Sequence, residues 1–342
     1  MKFLKYPLLP FSYLYAGIMH TRNWLYDTGV LSSAAFQVPV INVGNLTVGG
    51  TGKTPHVEYL VRLLAPRKTA ILSRGYKRQT TGFVLADAQA SATTIGDEPF
   101  QYYQEFKDIT VAVCEDRVAG IRQLLHLYPD TAVILLDDAF QHRPVQARWN
   151  ILLTDYNRLF FQDAVLPAGR LREGRQGARR SDMVVVSKCP AGLEPEIRNH
   201  ISQQVHRYTQ AGVPVFFSHY QYREAVPFGS ALTCSPDIVL ITGIARSETL
   251  VQHLTRQGFR IIRHFNFQDH HTYTQQDIQE ISNFAASAGQ VSLLTTQKDW
   301  TKLLDPALRG QVRSLPIFYL PIRVAFMWDQ DVFDALILQV VA

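Results

Sequence analysis

Asn42–Pro55 reads NVGNLTVGGTGKTP, a glycine-rich loop that ends in Gly52-Lys53-Thr54. In loops of the form G-x-x-x-x-G-K-[ST], successive backbone N–H groups and a following helix N-terminus cradle nucleotide phosphates. Here the first glycine of that pattern falls on Thr47, and Gly49 and Gly50 supply the backbone freedom instead. The expected ATP site is therefore Thr47, Val48, Gly49, Gly50, Thr51, Gly52, Lys53 and Thr54. Lys53 is expected on β/γ oxygens and the Thr54 hydroxyl on Mg²⁺. Farther along, AVILLDDAFQH ends an apolar run in Asp137 and Asp138. A strand finishing in acidic residues is the Walker B arrangement, which brings carboxylate to the metal beside the loop.

Two other stretches carry charge in a pattern. Arg170, Arg172, Arg175, Arg179 and Arg180 place five guanidinium groups in eleven residues. They suit phosphates of ATP, a substrate phosphate or lipid headgroups. Nucleic acid is not expected, because no aromatic-interleaved platform accompanies them. At the N-terminus, Tyr6–Met19 is an uncharged run of 14 residues with two prolines, short of the roughly 20 needed to span a bilayer. Phe11, Leu14, Tyr15 and Ile18 recur at helical spacing as an apolar stripe,. Lys2, Lys5, Tyr13, Arg22, Trp24 and Tyr26 suit a membrane-surface segment,. A helix packed on the protein core is the other reading.

The elements that must hold these groups follow from apolar patterning. Buried strands are expected at Val38–Val43, Thr69–Ser73, Ile109–Cys114, within Thr131–Phe140, at Asn150–Asp155 and at Asp182–Lys188, with helices from His56 and Arg117 between them. Apolar strands alternating with helices predict an α/β fold: a P-loop NTPase-like, mostly parallel sheet covered by helices on both faces. A smaller α/β domain follows near Asp237, in which VSLLTTQKD reads as a strand. The β-prone segments VPVFFSHYQYREAVPF and LPIFYLPIRVAFM flank it and are expected to pair as a linking ribbon. The division is then 1–35 N-terminal segment, 36–212 P-loop domain, 213–236 linker, 237–314 smaller domain, and 315–342 return strand and C-terminal helix.

Composition sets the class. With 342 residues, 46% hydrophobic and 18% charged, the chain is globular and long enough for two cores,. A net charge of +5 favours anionic partners,. Three widely spaced cysteines exclude a zinc or disulfide framework and fit a reducing compartment,.

The loop GGTGKT also occurs in dimerising ATPases of the MinD/Mrp class, which switch partners through hydrolysis. That is the alternative function. Their loop carries a lysine before the glycines, where this chain has Val48; its lack points to a monomer. A GTPase needs a guanine clamp, and TTQKD (Thr295–Asp299) matches one only in part.

An ordered set of motifs resembles the lipid A 4'-kinase (tetraacyldisaccharide 4'-kinase) family over nearly the whole chain. It comprises VGNLTVGGTGKTP, LSRGYKR, GDEP, LDDAFQHR, LPAGRLREGRQGARRSD, ITGIA, FQDHH and TTQKD. The resemblance implies an ATP- and Mg²⁺-dependent kinase at the cytoplasmic face of the bacterial inner membrane. It would phosphorylate the 4'-hydroxyl of a tetraacylated glucosamine disaccharide 1-phosphate. It further implies Asp97 (GDEP) as the catalytic carboxylate and His270 (FQDHH) as its partner, with His271 the rival for that place. A carboxylate placed to accept the proton of a sugar hydroxyl suits this chemistry. The two come from different units, so domain closure is an expected step. The same resemblance implies substrate contacts at Ser73, Arg74, Arg78, Arg117, Gln141, His142, Arg172 and Glu173. Gly174 stands where the family more often has proline.

Overall fold

The computed structural model describes residues 7–269 and 271–342. In chain order the elements are α1 (Leu9–Asp27), β1 (Val40–Asn45), α2 (Lys53–Leu64), β2 (Thr69–Ser73), β3 (Val84–Leu85), α3 (Ala92–Ile95), α4 (Asp97–Glu105), β4 (Thr110–Val113), α5 (Arg117–Leu127), β5 (Val133–Asp137), β6 (Trp149–Asp155) and β7 (Met183–Ser187). They continue as α6 (Pro195–His206), β8 (Val215–Tyr222), β9 (Val226–Pro227), β10 (Asp237–Thr242), α7 (Glu248–Arg256), β11 (Arg260–Asn266), α8 (Gln275–Ser287), β12 (Ser292–Thr296), α9 (Gln297–Leu303), α10 (Pro306–Arg313), β13 (Ile317–Leu320), β14 (Ile322–Phe326) and α11 (Gln330–Val340).

Among the described residues the strands form two sheets. The larger runs β14-β8-β7-β6-β1-β5-β2-β4-β3. Its centre is parallel, and only the edge strands β3 and β14 pair antiparallel. The register follows from burial. β1, β2, β5 and β7 are buried along their whole length, so their sequences are mostly apolar, with Asn42 and Asn45 of β1 buried and hydrogen-bonded. Ile41, Val43, Leu135, Ile151 and Val185 point into one core with Val57, Leu60 and Leu64 of α2 and Phe333 and Ile337 of α11. The alternate residues Val40, Leu136, Leu152 and Val184 enter cores on the opposite face, under α5 and α6.

The smaller sheet runs β11-β10-β12-β13-β9, parallel except for β9. The two β-prone flanking segments do pair, but as extensions of both sheets rather than as a separate ribbon. β14 lies antiparallel on β8, Ile322 opposite Tyr222 and Phe326 opposite Ser218, while Phe318 of β13 faces Pro227 of β9. The chain thus leaves the large sheet along β8 and returns beside it on β14.

Among the boundaries that differ from the pattern reading, two are set by how a helix starts. The helix after the glycine loop begins at Lys53 rather than His56, because Gly52 takes a left-handed conformation (φ +85°) and turns the chain directly into α2. The TTQKD stretch is not all strand. Thr296 accepts a hydrogen bond from the Asp299 N–H and caps α9, so the strand stops there and Gln297 opens a helix,.

The first helix is amphipathic with its apolar side turned outward. Phe11, Leu14 and Ile18 are 62%, 66% and 59% exposed, while Ser12 is buried. The polar side docks on the protein: Ser12 Oγ accepts from the Ala168 N–H, Tyr15 donates to the Arg172 carbonyl (2.9 Å) and Asn23 to Glu173 (2.7 Å). Among the described residues no helix is long and apolar enough to cross a membrane.

Candidate active site

The glycine loop sits at the carboxyl end of β1, where open parallel sheets bind ligands. Thr47 is buried and bridges Leu171, and the Val48 N–H donates to the Arg170 carbonyl (2.7 Å). Gly49 (φ +118°) and Gly52 (φ +85°) occupy backbone regions open to glycine,. The end of β7 fixes the loop from the other side. Ser187 donates to the Thr51 carbonyl (2.7 Å), and Lys188 donates to the Gly50 carbonyl while pairing with Asp155 (2.9 Å). A pinned carbonyl turns the N–H of its own peptide the opposite way. The Gly52 N–H is thereby directed away from β7, at the mouth of α2.

Lys53, the first residue of α2, points at the strand end opposite, with its Nζ 3.7 Å from Asp138. Asp138 has φ +53°, a strained backbone for a non-glycine residue, and is gripped by both Nη atoms of Arg172 (2.8 and 3.0 Å),. Burial would raise its carboxyl, but Lys53 and Arg172 outweigh this and hold it below the ordinary range. Asp137 is the opposite case. Fully buried, and repelled by Glu98 and Asp138 against the attraction of Lys53, its carboxyl is pushed up to about 8. One oxygen accepts from Tyr102 (3.2 Å); the other is enclosed without a partner among the described residues. A buried carboxylate oxygen of this kind fits a divalent cation. Thr54, the expected third contributor, is near enough to influence the Tyr102 phenol.

Arg172 and Glu173 are neighbours with different duties. Arg172 faces the acidic pair. Glu173 is 1% exposed, and its carboxylate accepts from Asn23 (2.7 Å), Gln141 (2.9 Å) and Arg180 (2.7 Å). It braces α1, the segment after β5 and the arginine loop against one another, so its carboxylate is committed within the protein. Gln141 also donates to the Asn45 carbonyl (2.9 Å) at the base of the glycine loop.

A cationic group lies on the other flank. Arg117 is 3% exposed; its Nη1 donates to the Glu115 carbonyl, while its Nε is buried with no partner among the described residues. Burial lowers its guanidinium pKa against the pull of Asp138 and Asp137. His142 accepts from the Arg117 N–H through Nε2 (3.3 Å), and burial together with Arg117 lowers it to about 4, so the ring is neutral. The charge of Arg74, itself exposed, acts on both. Ser73 is buried at the end of β2 and accepts from the Gly75 N–H (3.4 Å). Arg78 is enclosed: its side chain is 2% exposed and its Nη2 pairs with Glu115 at 2.5 Å, while its Nε and Nη1 are buried with no partner among the described residues.

Asp97 begins α4, half-buried. The residue beside it, Glu98, repels Asp137, and Tyr102 on the same helix bonds to Asp137. α4 is therefore anchored at Asp137, with Asp97 as its first residue. α4 packs directly on α9 of the smaller unit.

His270 lies outside the described residues. The Phe267 N–H donates to the Thr242 carbonyl (2.7 Å), Asp269 accepts from Lys298 of α9 (3.0 Å), and His271 stacks on Phe267 at 4.4 Å while bonding to Asp277 (3.0 Å). The rival imidazole is thus committed to holding the loop. Gly243 packs on the buried Asp299, which accepts from its N–H (2.9 Å). ITGIA, FQDHH and TTQKD therefore meet at one edge of the small sheet.

Several working groups escaped the sequence reading. Tyr102, Ser187, Lys188 and the inward-facing Asn23 carry no recognisable spacing, and each acts on a partner distant in the chain.

The sequence pattern of the tetraacyldisaccharide-1-P 4'-kinase family matches residues 4–342. The tetraacyldisaccharide 4'-kinase of Cytophaga hutchinsonii is 45% identical over 335 residues, 97% of this chain and 94% of that one. That of Flavobacterium psychrophilum is 42% identical over 349 residues, 100% and 98%. Among solved structures, LpxK from Aquifex aeolicus in complex with ATP superposes with a TM-score of 0.76 at 29% identity, covering 99% of this chain and 100% of that one. The mostly parallel α/β fold is that of the solved relative, and the chain belongs to the tetraacyldisaccharide-1-P 4'-kinase family.

Proposed function

We propose that this chain transfers the ATP γ-phosphate to the 4'-hydroxyl of a tetraacylated glucosamine disaccharide 1-phosphate, in lipid A biosynthesis, with Asp97 as the group that accepts the hydroxyl proton. Family membership carries the reaction and sets aside the MinD/Mrp-type switch. The observation that carries the residue assignment is the position of α4: Asp97 starts the helix whose Tyr102 bonds to Asp137.

The glycine loop with Lys53 binds ATP. Asp137, Asp138 and Thr54 would hold Mg²⁺, which when bound offsets phosphate charge during transfer. Lys53 and Arg172 keep Asp138 ionised, and Tyr102 orients Asp137. Arg117, with its buried unpaired Nε, and Arg74 take a phosphate of the substrate or of ATP,. Gln141 and His142 line the same side. Glu173, its carboxylate taken up by Asn23, Gln141 and Arg180, acts by shaping the pocket, while Arg78, with Nε and Nη1 buried and unpartnered among the described residues, joins Arg117 as a substrate contact. His270 is the proposed partner of Asp97, supported by the commitment of His271 to Phe267 and Asp277.

The P-loop unit, 36–212, and the smaller unit, 237–314, close on each other during transfer. The outward apolar side of α1 rests in the cytoplasmic surface of the inner membrane, bringing the acyl substrate to the site as a monomeric, peripheral enzyme. Three exposed apolar side chains, Phe11, Leu14 and Ile18, would be buried there, each contributing about 1.5–3 kcal/mol.

The purified chain with labelled ATP, Mg²⁺ and the disaccharide 1-phosphate in detergent yields a bisphosphorylated lipid; hydrolysis without transfer to lipid refutes the reading. For the membrane, the triple variant Phe11→Ser, Leu14→Ser, Ile18→Ser partitions into anionic vesicles at least roughly 10²-fold more weakly. Unchanged partitioning removes α1 from that role.

A further inference from the structure

The TTQKD motif matches a guanine clamp only in part, yet the structure gives its central residues two grips. Gln297 opens α9 and reaches the large unit. Its Nε2 donates to Glu58 of α2 (3.2 Å) and lies 3.5 Å from Glu105 of α4, and its Oε1 accepts from the Ile322 N–H of β14 (3.2 Å). Glu58 also accepts from Gln101 of α4 (2.7 Å), and Arg62 ties Glu58 to Glu105 (3.3 and 2.8 Å). α2 begins at Lys53 and α4 at Asp97, so Gln297 holds the two helices that carry the phosphate-binding lysine and the carboxylate. The next residue, Lys298, bonds instead to Asp269, in the loop that carries His270. α9 itself is fixed: Asp299 is wholly buried and bonded to the Gly243 N–H, Thr296 and Lys302.

We propose that Gln297 and Lys298 are positioning residues, a register clamp that sets the loop Phe267–His271 against the start of α4. One residue fastens the first turn of α9 to the nucleotide-binding unit. Its neighbour fastens the same turn to the loop, so once the units are closed the separation of that loop and α4 is set across a single peptide. A loop bearing a proton-handling group needs this, because misplacement by about 1 Å costs roughly 10²-fold in rate. The inference rests on the reading of Asp97 as the base.

The test measures kcat for transfer to the disaccharide 1-phosphate and, separately, the Kd of ATP without acceptor. Gln297→Ala and Lys298→Met are expected to lower kcat roughly 10–100-fold, with nucleotide Kd changed less than about threefold. Lys298→Arg, which can still reach Asp269, recovers most of kcat. A residue that only stabilises the fold would lower melting temperature without this split and without rescue by arginine. Unchanged kcat in both variants, or a parallel rise in nucleotide Kd, overturns the clamp. Should Gln297→Ala fail to fold, Lys298→Met carries the test, since its side chain is one-third exposed. Asp97→Asn is the control: if it retains full kcat, the reading of the base is wrong, whereas an impaired Asp97→Asn beside active clamp variants removes the clamp alone.

Discussion

The carboxyl ends of the two sheets are built by opposite means. At the end of β1 in the large sheet, one run of chain supplies strand, loop, lysine and helix, and its polar groups are pinned by neighbours: Thr51 by Ser187 and Asn45, Gly50 by Lys188, Asp138 by Arg172. At the end of the small sheet, three segments from Gly243, Phe267 and Thr295 onward meet, and their tie to the large unit runs through α9. The first end is preorganised for a ligand of fixed shape, triphosphate. The second joins the first through two chain crossings, β8 to β9 and β13 to β14, the packing of α9 on α4 and the contacts of Gln297, so its place relative to the phosphates depends on groups distant in the chain. Proton handling is therefore the step most exposed to small displacements, and phosphate binding the least.

The largest effect is expected where the two ends meet. Asp97→Asn keeps shape and removes the proton acceptor, so kcat falls roughly 10²–10⁴-fold while ATP affinity in the absence of acceptor is kept. Loss of nucleotide affinity instead would move Asp97 into the binding machinery and dissolve the contrast. Next is Lys53→Met, on the preorganised side. It is expected to lower kcat/KM roughly 10²–10³-fold, with nucleotide affinity falling as well, because Asp138 then faces the phosphates with only Arg172 and the more weakly acting Arg117 to balance it. Equal ATP affinity in the variant would deny Lys53 its place at the phosphates.

How much of this could be read from residues alone follows the same contrast. Lys53, Thr54, Asp137 and Asp138 are legible because the chemistry needs them in contiguous runs at the ends of apolar strands. Glu173 was visible only as a member of a motif; its work as a brace depends on Asn23, 150 residues away, and Gln141, 32 away. Ser187 and Lys188 hold carbonyls 136 and 138 residues distant, and Gln297 holds Glu58 across 239. No local period encodes such pairs. The outward face of α1 is a middle case: periodicity gave the stripe, but only the docking of Ser12, Tyr15 and Asn23 decides which side faces the protein.

The junction between the units also has its own titration. Glu58 is fully buried, and burial, against the attraction of Arg62, pushes its carboxyl up to about 7. Tyr102 and Glu105 of α4, Tyr220 of β8, Tyr319 of β13 and Arg323 of β14 share its surroundings. A carboxyl whose folded pKa is raised contributes stability that is fully present below the unfolded value and is lost as pH rises through the folded one. Glu58→Gln removes that loss. The difference in unfolding free energy between variant and wild type, from urea titrations, is expected to grow by about 3 kcal/mol between pH 4.5 and pH 7.5. A difference that stays flat with pH means that water reaches the carboxylate and that the junction is open.

The smallest effect tests how rigid the preorganised end is. Gly52 has φ +85°, and a Cβ built there would lie 2.1 Å from the Tyr220 hydroxyl oxygen, with the ring carbon Cζ next at 3.3 Å. Gly52→Ala therefore meets two obstacles, a left-handed backbone costing about 1–3 kcal/mol and one atom of a neighbour. Tyr220→Phe removes that atom and leaves the backbone term untouched. Gly52→Ala is expected to weaken ATP binding and lower stability. The double variant should recover part of both, with a coupling of about 0.5–3 kcal/mol and a residual deficit equal to the backbone strain. Full recovery would assign the whole cost to the hydroxyl and show that the loop accepts a side chain in this conformation. Strict additivity would mean that Tyr220 moves aside freely, so that the large-sheet end is no more rigid than the small one.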